Sequence, residues 1–441
     1  MAFRVNRPIG LEKSGDYRVY ASIPGQQEEL YCACAVVGNR FRDRSVSYEK
    51  MTFCSLDWDF SAPLTLRVKP NRPWKEVCIR PRHAGIPYTV DGDEIEITLT
   101  GPQKFSLELD GDLYRNLFVY ACLPACMPEG EKVRVFGPGV HDAGKIEITD
   151  GETVYIDGDA VVFGWMEVRG NDIRVCGHGV ISGAKENHDV NEDRVELFHG
   201  EDCRGLRIDG LVMLDSAAWT LCTVGCQDVT ITDIKQICYN LNSDGFDICS
   251  CRNVQIRDCF VRNFDDNISI KSFGGDNVDI LMEDCVLWAD CAHNMLVGPE
   301  SKPEEENRFC HIRFHNIDVL EHRELNEEFM GVMTIFCADK ASFYDIEWDD
   351  IRIERMSYGR VFDCNYVNFF ASGMGKSVRD VRMKNIECAA PIVFKSRIRG
   401  LDENHTMNDF VIENFRIHGI PVREGEPSFE IGKFVENLII R

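Results

Sequence analysis

The chain has 441 residues, 44% hydrophobic and 28% charged, with a formal net charge of −24 and a pI near 4.9. That length exceeds one ordinary core and predicts two domains or an elongated repeat, and no apolar run of about eighteen residues predicts a membrane span. So acidic a balance repels nucleic acid and anionic membranes, which excludes them as expected partners, and it disfavours long polyanionic substrates.

The N-terminus, MAFRVNRPIGLEKSGDY, has no apolar signal core and no small-residue cleavage site, so a cytoplasmic location is expected. Twenty cysteines occur without a single CxxC. Cys203, Cys226 and Cys251 open successive repeats, and Cys238, Cys259, Cys285 and Cys388 fall inside apolar alternations. Reduced cysteine packs as a small hydrophobe, so these are read as interior stacks in a reducing compartment rather than as metal ligands.

Residues 1–130 read as a β-sandwich domain. Short alternating runs (YRVYASI, ELYCACAVV, LTLRVKP, EVCIRPR, EIEITLTG, FSLELDGD) are broken by turn signals, including Asp91-Gly92 and Asp110-Gly111. The domain shows no defensible catalytic cluster, so its expected role is scaffold or lid. LPACMPEGE, residues 123–131, reads as the linker.

Residues 131–441 have a different texture. Units of one design recur: LRIDGLVML, VTITDIKQI, VQIRDCFV, VDILMEDCVL, CHIRFHNIDV, YDIEWDDIRI, VRMKNIEC and FVIENFRI. Each has apolar positions at period two, a turn and a second apolar pair. Ile208, Ile231, Ile256 and Ile280 mark the early period, and later units are longer, as insertions on one face would make them. A leucine-rich repeat would show Leu and Asn at fixed places and a helical half, and neither is present. The prediction is an all-β chain: a right-handed parallel β-helix preceded by a small sandwich.

Residues 240–271, NLNSDGFDICSCRNVQIRDCFVRNFDDNISIK, concentrate the chemistry. Asp244 precedes the alternation Phe246, Ile248; Asp265 and Asp266 precede the same alternation, Ile268, Ile270. Aligning the two strands stacks Asp266 on Asp244, one coil and about 4.8 Å apart. Like charges at that range cost folding energy and raise one another's pKa, so the cluster points to function. The bland alternative is a set of solvated turn aspartates.

NSDGFD followed by FDDNISIKS resembles the paired motifs of polygalacturonases, inverting glycoside hydrolases that share the right-handed β-helix with dextranases and isopullulanases. The resemblance spans roughly residues 135–300 and takes in DSAAW and the histidine of AHNMLVG. A sandwich ahead of the helix is similar to the dextranase layout. The resemblance implies Asp265 as general acid, Asp244 and Asp266 as the pair that activates water, and Asn242, Lys271 and His293 as substrate-side residues, with no metal or organic cofactor. Lys271 is open between binding sugar and compensating the aspartates; Trp165 and Trp219 are open between stacking platforms and core.

Two departures shift the expected substrate. The family's basic grip should fall near GVMTIF, where Met333 and Ile335 stand, and a glycine beside the histidine is replaced by Asn294. A carbohydrate other than plain polygalacturonate is therefore expected, with Arg323 a candidate replacement cation. The rivals are a β-helix lyase or transglycosylase, which would need a Lys or Arg base and calcium, and a non-catalytic glycan-binding rod. The sequence is compatible with a homo-oligomer.

Overall fold

The alternating runs ahead of the linker form two sheets in the computed structural model, which describes residues 3–302, 306–391, 393–425 and 427–441. One sheet has six strands, in the order Phe3–Val5, Val46–Trp58, Leu117–Cys122, Gln103–Leu109 and Val77–Arg80, with Ala33–Arg40 also paired to Val46–Trp58. The other has five, in the order Gln26–Glu29, Tyr17–Ile23, Leu64–Pro70, Glu94–Leu99 and Tyr88–Asp91. Inward residues of both, among them Val19, Leu56, Trp58, Leu66 and Val119, share one core.

From Val133 to Ile440 the chain winds a β-helix, its 28 strands joined in one almost wholly parallel sheet. A first face runs through Phe198–Arg204, Leu221–Val224, Phe246–Cys249, Ile268–Ser272, Met295–Ser301, Met333–Cys337 and Phe362–Tyr366. Its strands pair in register from coil to coil, with one shift between Ile270 and Ser272 where Ser272 meets Ser301. Inward columns such as Phe246, Ile268, Met295 and Met333 fill the interior. Cys203, Cys226, Cys251, Cys259, Cys285 and Cys388 join the same interior, and the chain's cysteines are all free and mostly buried.

Gly210 makes the corner of the first repeat unit, and Asp or Asn makes it in the seven that follow. Asp233, Asp258, Asp284, Asn316, Asp350, Asn385 and Asn414 all take φ between 48° and 59°, the left-handed region these two residue types tolerate best. The predicted isoleucine column holds for Ile208, Ile231 and Ile256, but Ile256 pairs with Met282, and Ile280 pairs with Val254. The turn at 273–276 is longer than its counterpart at 250–251 and shifts the period there.

The sandwich is seated on a second face of the β-helix. Outward residues Val212, Leu214, Ile237, Phe260 and Trp288 are apolar and lie under Phe53, Phe118 and Tyr120 of the sandwich. Buried Arg262 bonds Asp290 at 2.8 and 2.9 Å and reaches Asn116 of the sandwich at 3.2 Å. Removing one partner of such a pair is costly, so the seat is specific as well as apolar.

Candidate active site

The three aspartates stand where the chain enters the first face. Phe246 pairs with Ile268, and Ile268 with Met295, so Asp244, Asp266 and His293 fall in one column. The Gly245 N–H donates to the Asp266 carbonyl at 2.7 Å. A Cβ on Gly245 would lie 2.3 Å from the Asn267 carbonyl oxygen, which explains glycine directly after Asp244. Asn242 is an exposed turn former at φ 61°; its backbone N–H donates to Asp265 Oδ2 at 3.0 Å, and its Oδ1 accepts from Arg194 at 2.8 Å.

Asp265 and Asp266 are held from opposite directions along the helix axis. Asp265 is tied to Asn242 on the preceding coil. Asp266 Oδ1 accepts from the His293 backbone N–H at 2.8 Å and faces His293 Nδ1 at 2.7 Å, both on the following coil. One oxygen from each of Asp244, Asp265 and Asp266 lies within 4.8 Å of the others. That is tighter than the roughly 6.5 to 9.5 Å expected of an inverting pair, because adjacent coils stack at the strand spacing.

This crowding shapes the electrostatics. Burial pushes the Asp244 carboxyl up to about 6; Lys271 pulls against the rise, and the charges of Asp266 and Glu300 add to it. Asp265 is raised well above the ordinary carboxylate range, first by loss of water and then by Asp244 and Asp266. Lys271 is buried among Asp244, Asp247 and Glu300, with Nζ 3.2, 2.9 and 2.9 Å from their oxygens. Those anions hold its ammonium charged despite burial, and Nζ also lies 3.7 Å from the centre of the Trp219 ring.

A cavity of about 250 Å³ opens over this cluster, lined by Asn242, Asp244, Asp265, Asp266, Lys271 and Trp219 together with residues the sequence did not single out. That volume is toward the small end of ligand pockets and suits a group the size of one or two sugar rings. His293 is 0% exposed; its ring lies under Phe329 and Phe336, with centroids 4.3 and 5.5 Å away, and its visible partner is Asp266. Trp165 lies in the strand Ala160–Asn171, opposite Lys145, away from the cavity.

Met333 and Ile335 point into the interior, so the outward positions on that strand are Thr334 and Phe336. Phe336 belongs to an apolar cluster with Leu296 and Phe329 beside the cavity. Basic residues recur farther along the helix, but Arg397 bonds Asp363 at 2.7 Å and Arg360 donates to the Glu327 carbonyl at 3.1 Å, pinning the loop that carries Phe329. Arg323 does not reach the cavity; it donates to Asn39 and Tyr114 of the sandwich at 2.7 and 2.6 Å. Asn294 continues an amide ladder, donating to Asn267 at 3.1 Å and facing His322 at 2.9 Å.

Residues missed by sequence reasoning are Arg40, Asp247, Cys291, Glu300, Glu324, Phe329 and Phe370. Asp247 was within reach, since the alternation FDIC places it outward beside Asp244. Arg40 carried no signal, because it meets Cys291 from 251 positions away.

Comparison with known proteins bears on the fold and the family. Probable endopolygalacturonase C of Aspergillus niger is 22% identical over 243 residues, 50% of this chain and 60% of the relative; the match thus spans less than two thirds of that relative's length. Dex49A from Penicillium minioluteum superposes with a TM-score of 0.69 at 14% identity, over 98% of this chain and 95% of that one. The hyperthermoactive exopolygalacturonase from Thermotoga maritima superposes with a TM-score of 0.52 at 16% identity, over 70% of this chain and 83% of that one. These likenesses show the fold. With its cluster of aspartates on the first face and a match to the family's sequence model over residues 129–433, the chain belongs to the glycosyl hydrolases family 28.

Proposed function

We propose that this protein is an inverting glycoside hydrolase that cleaves an α-linked oligo- or polysaccharide other than plain polygalacturonate. The observation that carries the reading is the meeting of Asp244, Asp265 and Asp266 in one cavity, with an oxygen of each within 4.8 Å of the others. Asp265, raised well above the ordinary range, keeps a proton for the leaving oxygen. Asp244 and Asp266 together orient and deprotonate the attacking water, and Asp244 and Asp265, each raised in part by neighbouring carboxylate charge, titrate as a coupled pair. No step calls on a metal or an organic cofactor.

Lyase chemistry is the weaker reading. It needs a neutral Lys or Arg as base, whereas Lys271 is held charged by three carboxylates. Its ammonium compensates Asp244 and Asp247, the second of the two roles open to it. The doubt about polygalacturonate rests on Thr334 and Phe336, which stand where a basic grip is expected, and on the apolar wall of Leu296 and Phe329.

Because the carboxyls stand closer than the usual inverting spacing, the anomeric course is the decisive test. Proton NMR during early turnover of an α-linked substrate should show the β-anomer first; initial release of the α-anomer would overturn inversion, and an unsaturated product absorbing in the near ultraviolet would overturn hydrolysis.

His293 gives a separate prediction. Its ring fixes Asp266 and is closed off from the cavity, so His293→Ala should lower kcat by about 10²-fold, the usual cost of a misplaced catalytic group, with little change in KM. A raised KM at unchanged kcat would instead make His293 a direct sugar ligand.

A further inference from the structure

We infer that the N-terminal sandwich is part of the active site, and that its Arg40 donates hydrogen bonds to oxygens of a sugar ring bound beside Asp265. This rests on the hydrolase reading for the identity of the ligand, though not for the existence of the binding site.

Arg40 ends the sandwich strand Ala33–Arg40 and lines the same cavity as the three aspartates. Of the two cations on that wall, Lys271 is saturated by three carboxylates. Arg40 forms no ion pair with a described carboxylate; its hydrogen-bond partner is the Cys291 sulfur, 3.0 Å from Nη1. That thiol is neutral, because burial pushes its pKa well up and the Glu324 charge adds to the effect. It donates in turn to Glu324 Oε2 at 3.3 Å. A guanidinium carries five donors, and a thiol is a weak acceptor. A half-buried Arg with most of its donors unused, facing a cavity, is built to receive oxygen acceptors from a ligand.

The placement is fixed on every side. Asn39, the preceding residue, accepts at Oδ1 from both Arg323 and Tyr114, each at 2.7 Å. Gly38 abuts the helix so closely that a Cβ would lie 2.1 Å from the Phe264 ring and 2.9 Å from the Tyr239 carbonyl oxygen. Phe264 immediately precedes Asp265. Arg42, two residues beyond Arg40, takes no part in this anchoring and does not line the cavity; its guanidinium lies 5.2 Å from the centre of the Tyr358 ring. Cys291 is the next coil's counterpart of Phe264, since Ile268 pairs with Met295. Arg40 therefore meets the cavity wall one coil beyond Asp265. Arg323 serves the site indirectly, as the clamp on the segment that carries Arg40.

Sugar hydroxyls and a sugar carboxylate would both satisfy the guanidinium, and the test separates them. Binding of methyl α-glucoside, methyl α-galactoside and their C6-carboxylate counterparts is measured by ligand-detected NMR titration, without turnover, on the wild-type protein and on Arg40→Met, Arg40→Lys and Arg42→Ala. Arg40→Met should weaken binding of at least one probe by about 10- to 100-fold, the range for a hydrogen bond to a charged group. Arg40→Lys should recover part of the loss, and Arg42→Ala should bind as wild type. Loss confined to the carboxylates assigns an acidic sugar; loss on the neutral glycosides as well assigns hydroxyl recognition. Equal binding by wild type and Arg40→Met overturns the inference, as does a wild-type protein that binds none of the four. Binding that depends on Arg40 in a protein that hydrolyses no glycan would instead sink the hydrolase reading alone.

Discussion

Asp265→Asn should lower kcat on a natural glycan by about 10²- to 10⁴-fold, the range for loss of a positioned general acid, while leaving the fold unchanged. The amide is isosteric, and its oxygen can still accept from the Asn242 N–H that now holds Asp265 Oδ2 at 3.0 Å. What it cannot do is give up a proton. The defect should therefore depend on the leaving group: a 4-nitrophenyl α-glycoside loses 4-nitrophenolate, a stable anion that needs little protonation, so the variant should recover most of its rate on it. Asp244→Asn and Asp266→Asn act on the water and should be equally poor on both substrates. A variant of Asp265 that is as impaired on the aryl glycoside as on the glycan would move the acid to another residue. The test draws its sharpness from geometry, since Asp265 is held by the preceding coil and Asp266 by the following one.

How far the sequence reaches can be judged residue by residue. The column Asp244, Asp266, His293 was legible because parallel coils stack at strand spacing and side chains alternate with period two, and the pairings of Phe246 with Ile268 and of Ile268 with Met295 reproduce it. The same rule failed between Ile256 and Ile280, because a turn of variable length does not disclose how many residues it absorbs. It failed again at Met333 and Ile335. A motif alignment places residues by number, whereas inward or outward facing is a matter of parity, and parity puts Thr334 and Phe336 outside.

Between-domain contacts were beyond reach. The strand Val212–Leu214 reads as apolar throughout, which signals burial on both faces, but nothing in it names the sandwich as the cover. Arg40 and Cys291 belong to segments with no shared pattern, so their meeting shows only in three dimensions. The sandwich, expected as scaffold or lid, places Arg40 of its strand Ala33–Arg40 on the wall of the cavity that Asp244, Asp265 and Asp266 line. The isolated basic residues followed the same logic. Arg323 looked available in sequence, but it, like Arg360 and Arg397, is spent on holding a neighbouring segment.

Lys271→Met should destabilise the protein by about 3 to 5 kcal/mol at neutral pH, the usual result of leaving buried charge without its partner. The side-chain volume is nearly kept, so the loss is electrostatic. Asp244 and Asp247 would face each other with no cation between them, and both carboxyls, already raised by burial, would rise further. The sign with pH follows. An acid whose folded pKa lies above its unfolded value binds more protons in the folded state, so its contribution to stability is full below the unfolded pKa of about 4 and declines as pH climbs through the folded one. For Asp244 in the wild type that decline ends near 6; in the variant it continues to higher pH. The gap in melting temperature between wild type and Lys271→Met should thus be small near pH 4.5, where the neutral carboxyls need no counter-ion, and widest near pH 8. The acid limb of kcat/KM should move upward in the same variant, because a protonated Asp244 cannot help take a proton from water. A gap that is flat across this range would mean that Lys271 supports the fold by packing alone, and a gap that narrows toward pH 8 would reverse the assignment of which partner carries the buried charge.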